Sequence, residues 1–389
     1  MIWHKGILVC GFYGYHNLGD EAMLHGLCHW LKRCGLNHDL TVYSKDPDDT
    51  QQRHGLRALD NRYAPRRRAR LKQWISQTTT ILQHRYFILG GGDLLRDAAD
   101  RDVAGEWLRP LEKAIASGKR TLVLGISVGN LWRPATKARI KAALNQVDVI
   151  AVRDPDSYQR LTALGISKTV YIISDLALEA VSPLQTFPNN SRPNIGISVR
   201  AIAGRNNMSN ASFYNHLAQT IDQLVETHNA KVHLIPFQAY PENFRQRYKP
   251  TIDDEVAITE VLNLSRYSEK LIPVGRLGSL DELINHLSTL DMMIGTRLHA
   301  VILSAGLGVP VIAIEYAPKV TGFMHAINQQ AWSIPMENFT AHQACSCVDR
   351  VLKDIDSVRQ QLNDGVQKYK IQMHPIDSVL KQVLLESKP

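Results

Sequence analysis

The chain has 389 residues, 44% of them hydrophobic and 21% charged, which is enough apolar material for two domains with full cores. Its formal charge of +8 suggests anionic partners without separating nucleic acid, membrane surface and phosphate. The five cysteines form no CxxC pair, no run approaches the roughly eighteen apolar residues of a membrane span, and the apolar part of MIWHKGILVCG is too short for a signal-peptide core, so a cytoplasmic protein with reduced thiols is expected.

The first strand is expected over Gly6 to Gly11, apolar throughout and therefore central in a parallel sheet. It empties into GFYGYHNLGDEAMLHGL, where Gly11, Gly14 and Gly19 permit a tight loop close to a ligand, and a helix begins near Leu18 with Asp20 and Glu21 in its first turn. This spacing is neither a dinucleotide GxGxxG nor a P-loop. Acidic residues in a first turn commonly only complement the helix dipole. Further strands are expected at Leu40 to Tyr43, Tyr86 to Leu89, Thr121 to Ile126, Val147 to Val152 and Val170 to Ile173, alternating with helical patterns as in a doubly wound α/β domain. Their carboxyl ends carry polar loops: Gly90, Gly91, Gly92 and Asp93 with Asp97; Ser127 with Gly129 and Asn130; and Arg153 with Asp154. Triple glycine at a strand end suits exposed backbone N–H groups or simply a tight turn. Arg153 suits an anion clamp or a pair with Asp154 or Asp156. The basic stretch from Arg62 through Ala64–Lys72 reads as a solvated helix face or as a contact with anionic lipid headgroups or a lipid diphosphate, with Trp74 and Ile75 as a small apolar edge. No aromatic interleaving or nucleic-acid motif accompanies it, so no nucleic-acid partner is expected.

SPLQTFPNNSRPN, rich in Pro, Ser and Asn, reads as a linker between residues 183 and 194, separating a domain over 1–182 from a second over 195–340, with a helical tail over 341–389. The second domain repeats the pattern at Ile195 to Val199, Val232 to Pro236, Leu271 to Val274, Met292 to Ile294 and Val311 to Ile314. Its most informative stretch is DMMIGTRLHAVILSAGLGVPVIAIEYAPKVTGF. A buried strand ends at Gly295, and Arg297 and His299 fall at the start of the following helix. Lys319 follows the next strand on a loop of the same kind. Open parallel sheets bind ligands at their strands' carboxyl ends, where free N–H groups and helix dipoles favour anions. Either residue alone is usually an ordinary surface group. Three cationic or titratable groups on two adjacent strand-end loops point to an anion site.

GYHNLGDEAML, ILGGGDLLRD, AVRDPDSYQRLTALGI and, above all, GTRLHAVILSAGLGVPVIAIEYAPKVTGF resemble the polysaccharide pyruvyltransferases, from Gly11 to Phe323. The resemblance implies a GT-B-like fold of two Rossmann-like domains with an interdomain cleft, the first on the acceptor side and the second on the donor side. It implies no metal and no cofactor, phosphoenolpyruvate as donor, and a cyclic pyruvate ketal on a sugar as product. The acceptor would be a cell-surface polysaccharide or its lipid-diphosphate-linked precursor, handled at the inner face of the membrane. Arg297 and His299 match the family's Arg-Leu-His, Arg153 its strand-end Arg-Asp, and Lys319 its Pro-Lys-Val. The glycine motifs imply substrate contacts at Asn17, Gly19, Gly91, Gly92 and Asp93. Three departures bear on the sugar: Asp93 replaces a fourth glycine, Gly125–Gly129 lacks a proline, and Ala317 replaces an Asp before Pro-Lys.

In this reading Arg297 and Arg153 hold the donor's carboxylate and phosphate with their planar forks, Lys319 adds a point charge, and His299 moves protons. Asp20, Asp93 and Asp97 are candidates to orient or deprotonate acceptor hydroxyls, with the choice among them open. Two rivals stand beside it. One is a GT-B glycosyltransferase using a nucleotide sugar, for which Asp46, Asp48 and Asp49 would be a faint metal-binding cluster. The other is a non-catalytic binder of anionic lipid or polymer.

Overall fold

The structure, a computed structural model, describes the chain except for residues 1–5, 37–38, 62–66, 99–101, 189, 203–207, 249–251 and 386–389 and the side chains of 67–74 and 248. The basic stretch read as a lipid contact therefore lies outside the described residues and side chains. The chain forms two compact units: unit 1 comprises Met1–Tyr15, Asp20–Ala180 and Lys370–Pro389, and unit 2 comprises His16–Gly19 and Val181–Tyr369.

Unit 1 alternates strands and helices in the order β1 (Ile7–Cys10), α1 (Leu18–Arg33, from Asp20 onward), β2 (Leu40–Ser44), α2 (Pro47–His54), β3 (Arg57–Asp60), α3 (Arg67–Gln83), β4 (Tyr86–Leu95), α4 (Val103–Ala116), β5 (Arg120–Val128), α5 (Pro134–Leu144), β6 (Val149–Val152), α6 (Pro155–Ala163) and β7 (Val170–Ile172). The strands make a seven-stranded parallel sheet ordered β3-β2-β1-β4-β5-β6-β7. Its central strands are fully buried apolar runs, because crossover helices cover both faces of such a sheet. The strand order reverses between β1 and β4, the position where sheets of this kind take ligands.

Unit 2 repeats the plan with β8 (Asn194–Ser198), α7 (Asn210–His228), β9 (Lys231–Ile235), α8 (Glu242–Tyr248), α9 (Asp254–Leu264), β10 (Ile272–Pro273), α10 (Leu280–Leu287), β11 (Met292–Gly295), α11 (Leu298–Gly306), β12 (Val311–Glu315), α12 (Pro318–Ala326), β13 (Ser333–Pro335), α13 (Ala341–Lys353) and α14 (Ile355–Lys370). Its six parallel strands run β10-β9-β8-β11-β12-β13, so the reversal lies between β8 and β11.

Several sequence expectations change. The glycine tract does not follow a strand. It lies inside the ten-residue β4, which absorbs Gly91 (φ +71°) and Gly92 (φ +88°), with a register shift against β5 between Asp93 and Leu95. Ser127 likewise belongs to β5 rather than to the loop after it. The stretch read as a linker is tied to unit 2: Leu184 N–H donates to the Leu307 carbonyl at 3.0 Å, Asn190 Nδ2 donates to Asp291 at 2.9 Å, and Asn194 already begins β8. Its irregular composition reflects bonds made outside any helix or ladder. The tail read as one helical block is divided. α13 and α14 complete unit 2 through Tyr369, whereas α15 (His374–Leu385) belongs to unit 1, where Trp30 Nε1 donates to Asp377 at 2.6 Å. No helix among the described residues is long and apolar enough to cross a membrane.

Candidate active site

In unit 2, β11 delivers Arg297 to the N-cap of α11 and His299 to its first turn. Ser198, the last residue of β8, fixes this junction. Its Oγ accepts the N–H groups of Thr296 (2.9 Å) and Arg297 (3.1 Å), and its carbonyl accepts Thr296 Oγ1 at 2.6 Å. The Arg297 side chain is buried and donates through Nε (3.0 Å) and Nη2 to the carboxylate of Asp254, which is wholly buried. Burial opposes the guanidinium's charge, but Asp254 outweighs it and holds the pKa above the ordinary value. One edge of the fork is thus committed inside the protein. Among the described residues no partner meets Nη1, so the remaining edge is the one that can address a ligand.

Asp254 does more than balance a charge. Its Oδ2 also accepts the N–H groups of Phe237 and Gln238, each at 3.0 Å. Those two residues in turn hold the segment His16–Gly19: Leu18 N–H donates to the Phe237 carbonyl at 2.8 Å, and Asn17 pairs with Gln238 in an isolated antiparallel bridge. Asn17 Oδ1 accepts Gly19 N–H at 3.1 Å. A Cβ placed on Gly19 would lie 2.0 Å from His299 Nδ1, so the imidazole occupies the space a side chain would need. Asn17, Gly19, Arg297 and His299 are therefore one connected assembly, with Asp254 at its centre.

Two more cations come from neighbouring strand ends. Lys319 sits in the first turn of α12 rather than on the preceding loop. Arg200 follows β8, is buried, and lays its guanidinium over the Tyr316 ring at 4.5 Å. The adjacent strands β8, β11 and β12 thus carry Arg200, Arg297 and Lys319 around the reversal of strand order. The N-caps of α11 and α12 are Arg297 and Ala317, and neither makes a side-chain capping bond, so the N–H groups of Leu298 in α11 and of Lys319 in α12, where Pro318 has none, remain available to an anion.

Unit 1 gathers Asp20, Gly91, Gly92, Asp93 and Arg153. Arg153 is buried and donates from Nε to Ser127 Oγ and from Nη1 to Asp175, both at 2.7 Å, with Met23 Sδ at 3.2 Å. Its ion-pair partner is thus Asp175, not Asp154 or Asp156. Asp154 instead caps α6 by accepting Ser157 N–H at 2.7 Å, and it also accepts Ser127 Oγ at 2.8 Å. Asp175, Asp154, Asp93 and Asp20 all act electrostatically on Arg153 and, against the cost of burial, keep its pKa raised. Asp20 Oδ1 lies 3.4 Å from where a Gly92 Cβ would be. Asp97 is turned to structure: it accepts the N–H groups of Trp132 and Arg133 at 2.7 and 2.8 Å. The Asp46–Asp49 cluster is a helix start, with Asp46 capping α2 and Asp49 paired to Arg53 at 2.7 Å.

Sequence reasoning missed Arg200 and Asp254. The signal for Arg200 was present, since GISVR ends a strand just as IAVR does before Arg153. Asp254 looks like an ordinary acidic residue at a helix start, and only the fold brings Phe237, Gln238 and Arg297 to it.

Two Rossmann-like units, each a parallel sheet flanked by helices, define the GT-B-like class of α/β proteins. A Listeria monocytogenes protein provisionally described as a UDP-N-acetylglucosamine 2-epimerase matches with a TM-score of 0.65 at 10% identity, covering 99% of this chain and 98% of its own. A glycosyltransferase from Rickettsia africae matches with a TM-score of 0.60 at 12% identity, covering 98% and 100%. At such identities the likeness is one of fold. The family model described as polysaccharide pyruvyl transferase matches residues 17–318, and the chain belongs to that family. The amylovoran biosynthesis protein AmsJ of Erwinia amylovora is 22% identical over 285 residues, 69% of this chain and 67% of AmsJ.

Proposed function

We propose that the protein transfers the pyruvyl group of phosphoenolpyruvate to a sugar of a polysaccharide or its precursor, forming a cyclic ketal and releasing phosphate. The observation that carries this reading is the cationic wall of unit 2, with Arg200, Arg297 and Lys319 at three neighbouring strand ends beside two uncapped helix N-termini. Phosphoenolpyruvate carries a carboxylate and a phosphate, and arginine's planar fork suits both. Arg297, oriented by Asp254, offers its outer edge to one of these groups, and Arg200 and Lys319 address the other. Arg153 balances carboxylates in unit 1, so this reading gives the anion to unit 2.

His299, next to the wall on α11, is assigned as the proton carrier. The donor's C3 takes a proton as a sugar hydroxyl attacks C2, the C2–O bond to phosphate breaks, and a second hydroxyl gives up its proton as it closes the ring. An imidazole titrates near working pH and can both give and accept in this sequence. Asp20, in unit 1, is assigned to orient an acceptor hydroxyl. Neither step requires redox chemistry.

The test is to incubate the chain with phosphoenolpyruvate and candidate glycans and to follow phosphate release and the acceptor's mass. His299→Ala should lower kcat by about 10²–10⁴ with the donor KM within a few fold, while Arg297→Lys should chiefly raise that KM. No consumption of phosphoenolpyruvate, together with thermal stabilisation by a nucleotide sugar, would replace this reading with glycosyl transfer.

A further inference from the structure

The carboxyl end of β5 in unit 1 holds an arrangement that the donor chemistry does not use. Trp132 is 51% exposed, the most exposed aromatic side chain among the described residues. A single exposed aromatic is common and needs no explanation. What sets Trp132 apart is how firmly its loop is held in place beneath it. Asp97, buried, accepts both Trp132 N–H and Arg133 N–H, at 2.7 and 2.8 Å. Asp97 N–H donates to the Asn130 carbonyl at 2.9 Å, and Gly129 N–H donates to the Leu95 carbonyl at 3.0 Å. Leu131 packs against the apolar core, and Arg160 Nη1 reaches Asn130 Oδ1 at 2.7 Å. The loop is zipped to the end of β4 along its length, so the indole is presented outward from a fixed base.

The polar surroundings complete the picture. Asp93 sits opposite Ser127 in the β4–β5 register and approaches Gly129, whose Cβ would lie 3.1 Å from Asp93 Oδ1. That oxygen is buried and has no hydrogen-bond partner among the described residues. Asn130 and Arg133 lie on the same loop, with the Arg133 guanidinium 5.8 Å from the Trp132 ring. A rigid aromatic face on a loop that also carries Asn130 and Arg133, and whose Gly129 abuts the half-buried Asp93 carboxylate, matches a pyranose ring, which offers C–H groups on one face and hydroxyl donors at its rim.

We propose that loop 129–133 is the acceptor platform: one pyranose ring of the acceptor glycan stacks on Trp132, and a hydroxyl of the bound sugar donates to the exposed oxygen of the Asp93 carboxylate, whose side chain is 35% exposed. This rests on the reading of the chain as a transferase acting on sugars, but its test needs no donor. Saturation-transfer NMR would be recorded on the full chain with methyl β-D-glucopyranoside, methyl β-D-galactopyranoside and methyl β-D-mannopyranoside, each without phosphoenolpyruvate. At least one glycoside should receive saturation at its ring C–H protons. Trp132→Ala should weaken that binding roughly tenfold, the scale of a lost aromatic contact, and Trp132→Phe should restore much of it. Because the side chain is half exposed, the thermal midpoint should not move in either variant. Equal binding in Trp132→Ala, or no transfer to any glycoside in the unaltered chain, overturns the proposal. So does Trp132-dependent sedimentation with anionic phosphatidylserine vesicles in place of sugar binding, which would make the loop a membrane contact. Failure of pyruvyl transfer with sugar binding intact would count against the donor reading and leave the platform standing.

Discussion

Arg153 in unit 1 and Arg297 in unit 2 begin alike. Each ends a buried parallel strand, each precedes a helix, and each is buried against an aspartate, Asp175 or Asp254. Their surroundings then diverge. Arg153 lies in the field of Asp175, Asp154, Asp93 and Asp20, and the helix after it is capped by Asp154. Arg297 faces Asp254 in a neighbourhood that also supplies Arg200 and Lys319, and the helix after it has no side-chain cap. The same local motif therefore gives a charge-balanced, carboxylate-rich cluster in one unit and a cation-rich strand edge in the other. A strand-end arginine says little until its counter-charges are counted.

The largest expected effect would break the pairing that orients Arg297. Asp254→Asn leaves a buried guanidinium without its counter-ion, a loss of about 3–5 kcal/mol, and it should also abolish the rise in thermal midpoint expected from the proposed donor, phosphoenolpyruvate. Asp154→Ala in unit 1 removes the α6 cap, worth about 0.5–2 kcal/mol, together with the acceptor of the Ser127 hydroxyl, and should keep that rise. Urea titration and thermal shift with and without donor check both. If the two variants lose donor stabilisation equally, the contrast between the units fails.

Acid should then loosen unit 2 through a feature specific to it. His233 on β9 is 8% exposed and packs against His286 on α10, with ring centroids 5.0 Å apart. Among the described residues neither ring nitrogen of His233 has a hydrogen-bond partner. Burial, then the nearby His286 and Lys231, lowers its pKa from 6.5 to about 4. A base whose folded pKa is depressed contributes stability that is present above 6.5 and lost as pH falls toward 4. The full loss is roughly 3 kcal/mol, at about 1.4 kcal/mol per pKa unit. Hydrogen exchange should show β9 and α10 opening over that window, and His233→Leu should flatten the response. Unchanged protection of β9 in His233→Leu relative to the parent at acid pH would remove the histidine from the account.

The smallest effects distinguish two reasons for glycine. Gly19→Ala must push against His299, an overpacking cost of about 1–3 kcal/mol, and should lower kcat more than stability because the displaced group is the proposed proton carrier. Gly92→Ala meets a tight 3.3 Å contact with the end of the Leu94 side chain and is forced to a φ of +88°, so its cost of about 1–2 kcal/mol should appear in stability. Paired melting curves and turnover measurements would separate them, and parallel losses in both variants would blur the comparison.

The central strands of both sheets are legible in the sequence because each is a short apolar run between turn residues. The edge strands β3 and β13 are not, since Arg57–Asp60 is half polar and Ser333–Pro335 spans three residues. The glycine tract was misplaced for a physical reason: glycine normally marks the end of a strand, and here it permits an irregularity within one. The places of Arg297 and His299 at a helix start behind a buried strand were legible from their spacing. Asp254 was not, because its partners lie 16 and 17 residues before it and 43 after it.

The return of α15 to unit 1 has a consequence for synthesis. Trp30 and Asp377 are 347 residues apart, and Tyr86 donates its hydroxyl to the Leu384 carbonyl. Everything else in unit 1 has been synthesised once Ala180 is made. At about 5–20 residues per second, the unfinished unit then waits on the order of 10–40 seconds for its last helix. During that interval the surface that α15 will cover is open to chaperones, and unit 2 gains nearly all of its own chain before unit 1 is closed.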